Sequence, residues 1–266
     1  MARGADARAL TPGAAALARL LAAGGHPLGL ETSVRWRPGR VEARRVLLSQ
    51  ACAALPPIGT LAAALEGLGL PRAAWLDAAP GAAFLHLGHE ADAPETFKLY
   101  LEAELGAPPA AGACVHRAWK WRVGAAPRRE AYHFLPPGAV AARLGALAAA
   151  GDAAGRIAAA LAAWLPPGET PFGLAVTDAD GGPRAGLDLR LYGLGLPIRA
   201  LAPVLEVAAA ALALPGGAAA ALLAERGAER LGHVALGLDA AGAPFLTVYG
   251  GAVEVAPRAL GLPEAA

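Results

Sequence analysis

The chain has 266 residues, enough for one large domain or two small ones with a sizeable core. Its 23 Lys and Arg nearly balance 22 Asp and Glu, and the formal charge of +1 excludes both the broad basic field of a nucleic-acid binder and the acidity of a solvated disordered chain. The two cysteines, Cys52 and Cys114, lack CxxC or Cys/His ligand spacing, so they are read as ordinary buried thiols rather than a disulfide or metal framework.

Residues 10–23 are rich in Ala and Leu, but Pro12 and Arg19 interrupt them and no export cleavage site follows, so a cytoplasmic location is expected. Short alternating segments then come in pairs. The first pair, 30–36 and 41–49, is joined by Arg37-Pro38-Gly39-Arg40, where Pro then Gly fits a type II turn. A helical stretch follows at 61–70. The second pair is 84–90 with 96–102, and the third is 114–123 with 130–135 across residues 124–128. Leu, Ile and Val at helical intervals mark 140–165. The fourth pair, 172–177 and 186–193, turns through 178–183. Residues 198–226 are helical again. Pro203, Glu206 and the Pro215-Gly216-Gly217 break make this a helix-turn-helix, without the roughly 20 unbroken apolar residues of a membrane span. The fifth pair, 231–238 and 245–250, turns near Ala241-Gly242.

Pairing across short turns means antiparallel strands. Ten such strands in five hairpins with helices between them predict an α+β fold, a closed antiparallel β-barrel surrounded by helices and spanning 1–266 as one domain. An open sheet covered by helices on one face is the competing arrangement.

Strand parity separates two faces. Phe97, Leu99 and Leu101 alternate with Lys98, Tyr100 and Glu102, and Leu187, Leu189 and Leu191 alternate with Asp188, Arg190 and Tyr192. Val234, Leu236 and Leu238 oppose His233, Ala235 and Gly237. Leu246 and Val248 oppose Thr247 and Tyr249, and Trp119 and Trp121 oppose Lys120 and Arg122. If the apolar faces meet the helices, the lumen gathers Arg45, Lys98, Lys120, Arg122 and Arg190 with several tyrosines, an environment suited to an anion. The alternative is an ordinary solvated sheet face.

The common nucleotide, hydrolase and zinc-helix signatures are missing, and so is a DDxxD run for metal-bridged diphosphate. A diphosphate would therefore be held by Lys and Arg directly, beside tyrosines able to shield a carbocation by cation–π attraction.

The hairpin Leu30-Glu31-Thr32-Ser33-Val34 with Val41-Glu42-Ala43-Arg44-Arg45-Val46-Leu47-Leu48 resembles the first hairpin of the cyanobactin-type peptide prenyltransferases, within the ABBA prenyltransferases. The resemblance continues through Phe97-Lys98-Leu99-Tyr100, Arg190-Leu191-Tyr192 and Thr247-Val248-Tyr249. It implies the ten-stranded PT barrel, a dimethylallyl or geranyl diphosphate donor, Mg2+ assisting through the diphosphate, and a peptide acceptor modified by a monomer, with neither nucleic acid nor membrane as partner. Residue by residue, it implies Glu31 near the acceptor, Arg45 and Lys98 on the diphosphate, and Tyr100, Tyr192 and Tyr249 as the shield of the allyl cation. Lys120, Arg122 and Arg190 join the diphosphate set from strand parity.

A lone strand histidine such as His233 is read as structural, Trp119 and Trp121 as core, and the spacing of His86, His89, His116 and His133 gives no metal motif. Two other functions fit the same residues: prenylation of a small aromatic or indole compound, and a non-catalytic barrel that binds an anion.

Overall fold

Strands with one apolar and one polar side bury the apolar side best by curling into a cylinder with helices packed outside. In the computed structural model, which describes residues 10–104, 109–166, 171–178, 182, 184–260 and 262, the chain does this. Helix α1 (Pro12–Ala22) precedes β1 (Leu28–Arg37) and β2 (Arg40–Ala51); α2 (Ile58–Gly67) and α3 (Arg72–Trp75) follow. Strands β3 (Ala82–Glu90), β4 (Thr96–Ala103), β5 (Cys114–Arg122) and β6 (Arg128–Leu135) then run without an intervening helix. Next come α4 (Pro137–Ala149), α5 (Ala153–Trp164), β7 (Gly173–Asp178) and β8 (Gly186–Arg190). The order ends with α6 (Ala202–Ala211), α7 (Ala218–Arg226), β9 (Leu231–Leu238), β10 (Pro244–Gly250) and the short β11 (Val253–Val255).

Consecutive strands from β1 to β10 pair antiparallel, and β10 returns to β1 with Ser33 opposite Tyr249 and Trp36 opposite Leu246. The barrel is closed, so no long edge is left exposed. Strand β11 extends the pairing of β1 beyond the end of β10, at Leu28 to Leu30.

The apolar core lies between barrel and helices, in two parts. Trp36, Leu189, Val234 and Leu246 pack with Val140, Leu144, Ile157, Leu161 and Leu205 from α4, α5 and α6. On the other flank Leu48, Leu87, Leu99, Trp119 and Trp121 pack with Leu17, Leu21, Leu61 and Leu65 from α1 and α2. Each fully buried Leu in these layers contributes roughly 1.5–3 kcal/mol. Trp121 also donates its indole N–H to the carbonyl of Leu68 at 2.8 Å, fixing the end of α2 against β5. Both tryptophans lie on the helix side, as parity requires.

The first turn is two residues long, with Arg37 opposite Arg40, and Gly39 takes the positive φ of 67° that the Pro-Gly signal anticipates. Differences from the sequence reading have local causes. The 140–165 stretch is two helices, because Gly151 adopts φ 68° and Asp152 caps α5 by accepting from the Gly155 amide at 2.8 Å. The fourth pair ends at Arg190: the chain leaves the sheet, Tyr192 to Leu194 form a 3-10 turn, and Gly195 reverses it at φ 64°. Tyr192 therefore enters the lumen from a turn, not from a strand. The turn expected at 178–183 lies mostly outside the described residues. Cys52 and Cys114 are free thiols, half-buried rather than fully buried. Among the described residues no helix is long and apolar enough to cross a membrane.

Candidate active site in the barrel lumen

Two cavities, of about 320 and 300 Å³, occupy the barrel interior and share Arg45, Lys98, Tyr100, Tyr132, Asp188 and Tyr249 as walls. One end is strongly basic. Cross-strand pairing sets Lys98 opposite Lys120, and Arg45 opposite Glu90. A bulge in β2 is what lets Arg45 face inward together with Glu42: Arg44 takes φ 52°, and the register slips between Ser33 and Arg35 so that residues three apart share one face.

The sequence reading found the cations but not their counterions. Arg45 donates to Glu90 at 2.7 Å and Lys98 donates to the same carboxylate. Lys120 lies 2.7 Å from Glu130, which also receives Arg128 and Arg184, each at 2.7 Å. Arg35 and Arg37 add further charge to the same cavity wall. The crowding shows in the titration of these groups. Burial and the neighbouring Arg45 push the Lys98 ammonium down to about 7 against the pull of Glu90, and burial with Arg45 and Arg37 lowers Arg35 to about 10. Burial raises the Glu130 carboxyl, yet Lys120 and the two arginines bring it down to about 2. Buried Arg45 Nη1 has no hydrogen-bond partner among the described residues. A buried guanidinium N–H left unmatched in a region short of negative charge is a place for an anion.

The other end holds Glu31. His233 bridges two carboxylates, with Nε2 3.1 Å from Glu31 and Nδ1 2.8 Å from Asp188. Burial opposes the imidazolium, but the charges of Asp188 and Glu31 outweigh it and hold its pKa above the usual value. Burial likewise raises Glu31, and His233 with the Tyr192 hydroxyl, which donates to it, bring it below the ordinary carboxylate range. Glu31 is thus an anion at neutral pH, oriented from two sides. Its hydrogen-bond partners are His233 and Tyr192.

Tyrosines line the space between the ends. Tyr100 and Tyr132 pack at 5.8 Å between ring centroids, while Tyr249 stacks on His233 at 3.7 Å, so one of its faces is already covered. Burial raises the hydroxyl pKa of Tyr100, Tyr192 and Tyr249, keeping all three neutral.

The structure therefore brings Arg45, Lys98 and Lys120 together, and Glu31 with Tyr192 and Tyr249 nearby. Two residues of the expected diphosphate set sit apart from these. Arg122 has lumen parity but is the last residue of β5, exposed at the rim, where it lines an outer cavity of about 460 Å³ with Lys98, Lys120 and Glu90. Arg190 points to the Glu31 end, 3.3 Å from Asp188 and 3.4 Å from His116 Nε2, because it ends β8 one strand away from His233. Sequence reasoning did not single out Glu90, Glu130, Tyr132 or Arg35, and although parity set Asp188 and His233 on the polar faces, it read His233 as structural and gave Asp188 no role.

Ten antiparallel strands closed around a polar lumen, with helices outside, make the ABBA or PT-barrel fold, and solved structures of that fold match the chain. It is similar to AnaPT from Neosartorya fischeri, at 15% identity and a TM-score of 0.56 over 85% of this chain and 78% of that one. It is also similar to 5-dimethylallyltryptophan synthase from Streptomyces coelicolor, at 15% identity and a TM-score of 0.51 over 98% of this chain and 95% of that one. A PriB binary complex with product diphosphate matches at 16% identity and a TM-score of 0.52, over 87% and 80% of the two chains. No protein-family model and no curated protein matches the sequence.

Proposed function

We propose that this chain is a prenyltransferase that moves a dimethylallyl or geranyl group from its diphosphate to a nucleophilic acceptor. The observation that carries the reading is the unmatched, buried Arg45 guanidinium nitrogen beside Lys98 and Lys120, with tyrosines leading from there to an oriented carboxylate. In this reading the C1–O bond of the donor breaks and its electron pair leaves with the diphosphate, stabilised by Arg45, Lys98 and Lys120. Tyr100 and Tyr132 shield the allyl cation on one side, and the free face of Tyr249 on the other. The acceptor attacks C1, and Glu31 stabilises the positive charge that grows on it, then takes its proton. His233 and Asp188 hold Glu31 in place.

Magnesium, which the resemblance implies, finds no oxygen cage among the described residues: Glu90 and Glu130 are taken up by Lys and Arg, and the one three-ligand cluster is rich in nitrogen. Magnesium would arrive on the donor's diphosphate.

For the acceptor, the first hairpin favours a side chain of a ribosomal peptide. A free indole or other small aromatic compound is the second reading, favoured by the likeness over nearly the whole chain to a 5-dimethylallyltryptophan synthase. Mass spectrometry of reactions with dimethylallyl diphosphate and either Trp, Tyr and Arg peptides or the free amino acids separates the two. Donor binding in calorimetry without a prenyl mass gain on any acceptor overturns both in favour of an anion-binding barrel.

A further inference from the structure

His86, Glu102 and His116 come from three neighbouring strands, β3, β4 and β5, and line the cavity at the Glu31 end. Glu102 pairs directly across from His116, and His86 lies one step diagonal to Glu102, since its own partner is Tyr100. Separations of 16 and 14 residues along the chain hide this grouping from any spacing rule; the sheet register creates it.

The ligand atoms of the three side chains all lie within 4.8 Å of one another. Glu102 Oε2 is 3.0 Å from His86 Nε2 and 3.8 Å from His116 Nδ1. Zinc bonds of about 2.0–2.1 Å at tetrahedral angles place donor atoms about 3.4 Å apart, so these two separations straddle the required one. His116 is buried, and its Nδ1 has no hydrogen-bond partner among the described residues. A buried polar atom left in that state costs about 1–3 kcal/mol, and a ligand at Nδ1 would remove the cost. His86 has its other nitrogen 2.7 Å from the Ser49 hydroxyl, the kind of support that fixes the ring of a metal-bound imidazole.

We propose that His86, Glu102 and His116 bind a divalent transition-metal ion of the zinc class, leaving its fourth position open to the cavity. Two imidazoles and one carboxylate suit such an ion far better than Mg2+ or Ca2+, which prefer oxygen. An ion on His116 Nδ1 leaves the ring proton on Nε2 and releases the long contact with Arg190, which keeps Asp188. The site is argued from the register of β3 to β5 and is independent of prenyl transfer, so zinc binding without transfer refutes only the function proposed above.

The test uses the chain without a histidine tag, stripped by a chelator and titrated with Zn2+ in a calorimeter and with Co2+ in a visible spectrometer. The expected result is one ion per chain, with cobalt bands of a low-coordinate site. Glu102→Gln and His116→Ala should each weaken binding at least tenfold with circular dichroism unchanged, while His26→Ala, at an exposed position, leaves it intact. Absence of zinc binding to the unmodified chain overturns the assignment, and so does binding that survives both lumen substitutions.

Discussion

Binding of a diphosphate in the lumen should draw a proton from solvent at pH 8, and Lys98 is where that proton goes. Burial and Arg45 hold the free ammonium at about 7. At that value the side chain carries about 0.1 of a proton at pH 8 and about 0.9 at pH 6. A diphosphate placed against it returns the pKa toward that of an ordinary lysine, so binding takes up about 0.9 proton at pH 8 and about 0.1 at pH 6. Calorimetric titration with dimethylallyl diphosphate in Tris and in Hepes reads this number directly, since the observed heat shifts by the uptake times the difference in buffer ionisation enthalpy. Lys98→Met should abolish the dependence on buffer. Heats that are the same in both buffers at pH 8, or an uptake that persists in Lys98→Met, would refute the placement of the donor. Folding carries the matching sign. Because the folded pKa lies below the 10.5 of an ordinary lysine, the unfolded chain binds more protons between about pH 7 and 10.5. The penalty from Lys98 is complete below pH 7 and is lost as pH rises through that window, a slope that Lys98→Met should flatten in urea titrations.

Glu31→Gln keeps the shape of the side chain and should leave donor affinity within about twofold, while acceptor turnover, followed by mass spectrometry, falls by about 10²–10⁴. Arg45→Ala should weaken donor binding in calorimetry at least tenfold, because it strips the diphosphate of a charge-assisted partner and leaves Glu90 to Lys98 alone. Gly237→Ala should cost about 2 kcal/mol or more in urea unfolding: the residue has φ 133°, and a Cβ there would lie 2.2 Å from the carbonyl oxygen of Ala185, wedging β8 from β9.

The barrel was legible because its lesson is written in period two. Lys98-Leu99-Tyr100-Leu101 and Asp188-Leu189-Arg190 declare a polar and an apolar face within a few residues, and Pro38-Gly39 declares the turn that pairs the first strands. Parity also carried Lys98, Lys120, Tyr100 and Tyr249 to the lumen side, whereas Arg45 shares that side with Glu42 through the β2 bulge and Tyr192 enters from a turn. It could not say how deep a residue sits, which is why Arg122 belongs to the rim and Arg190 to the far end. Nor could it pair residues across the barrel. His233 reads as a solitary histidine until the β8–β9 pairing brings Asp188 from 45 residues away, and closure brings Glu31 from 202 residues away, to its two nitrogens. Glu90 and Glu130 look like unremarkable acids at strand ends, and only the lateral register makes them the counterions that spread the basic charge. The β2 bulge at Arg44, an arginine in a conformation usually left to glycine, has no sequence signal of its own.

A crystal structure with a thiolodiphosphate analogue of dimethylallyl diphosphate tests the central assignment most directly. Its phosphate oxygens should lie within hydrogen-bond distance of Arg45, Lys98 and Lys120, with the allyl chain running past Tyr100 toward Glu31. An analogue seated outside the cylinder, with Arg45 and Lys98 still bound only to Glu90, would contradict it.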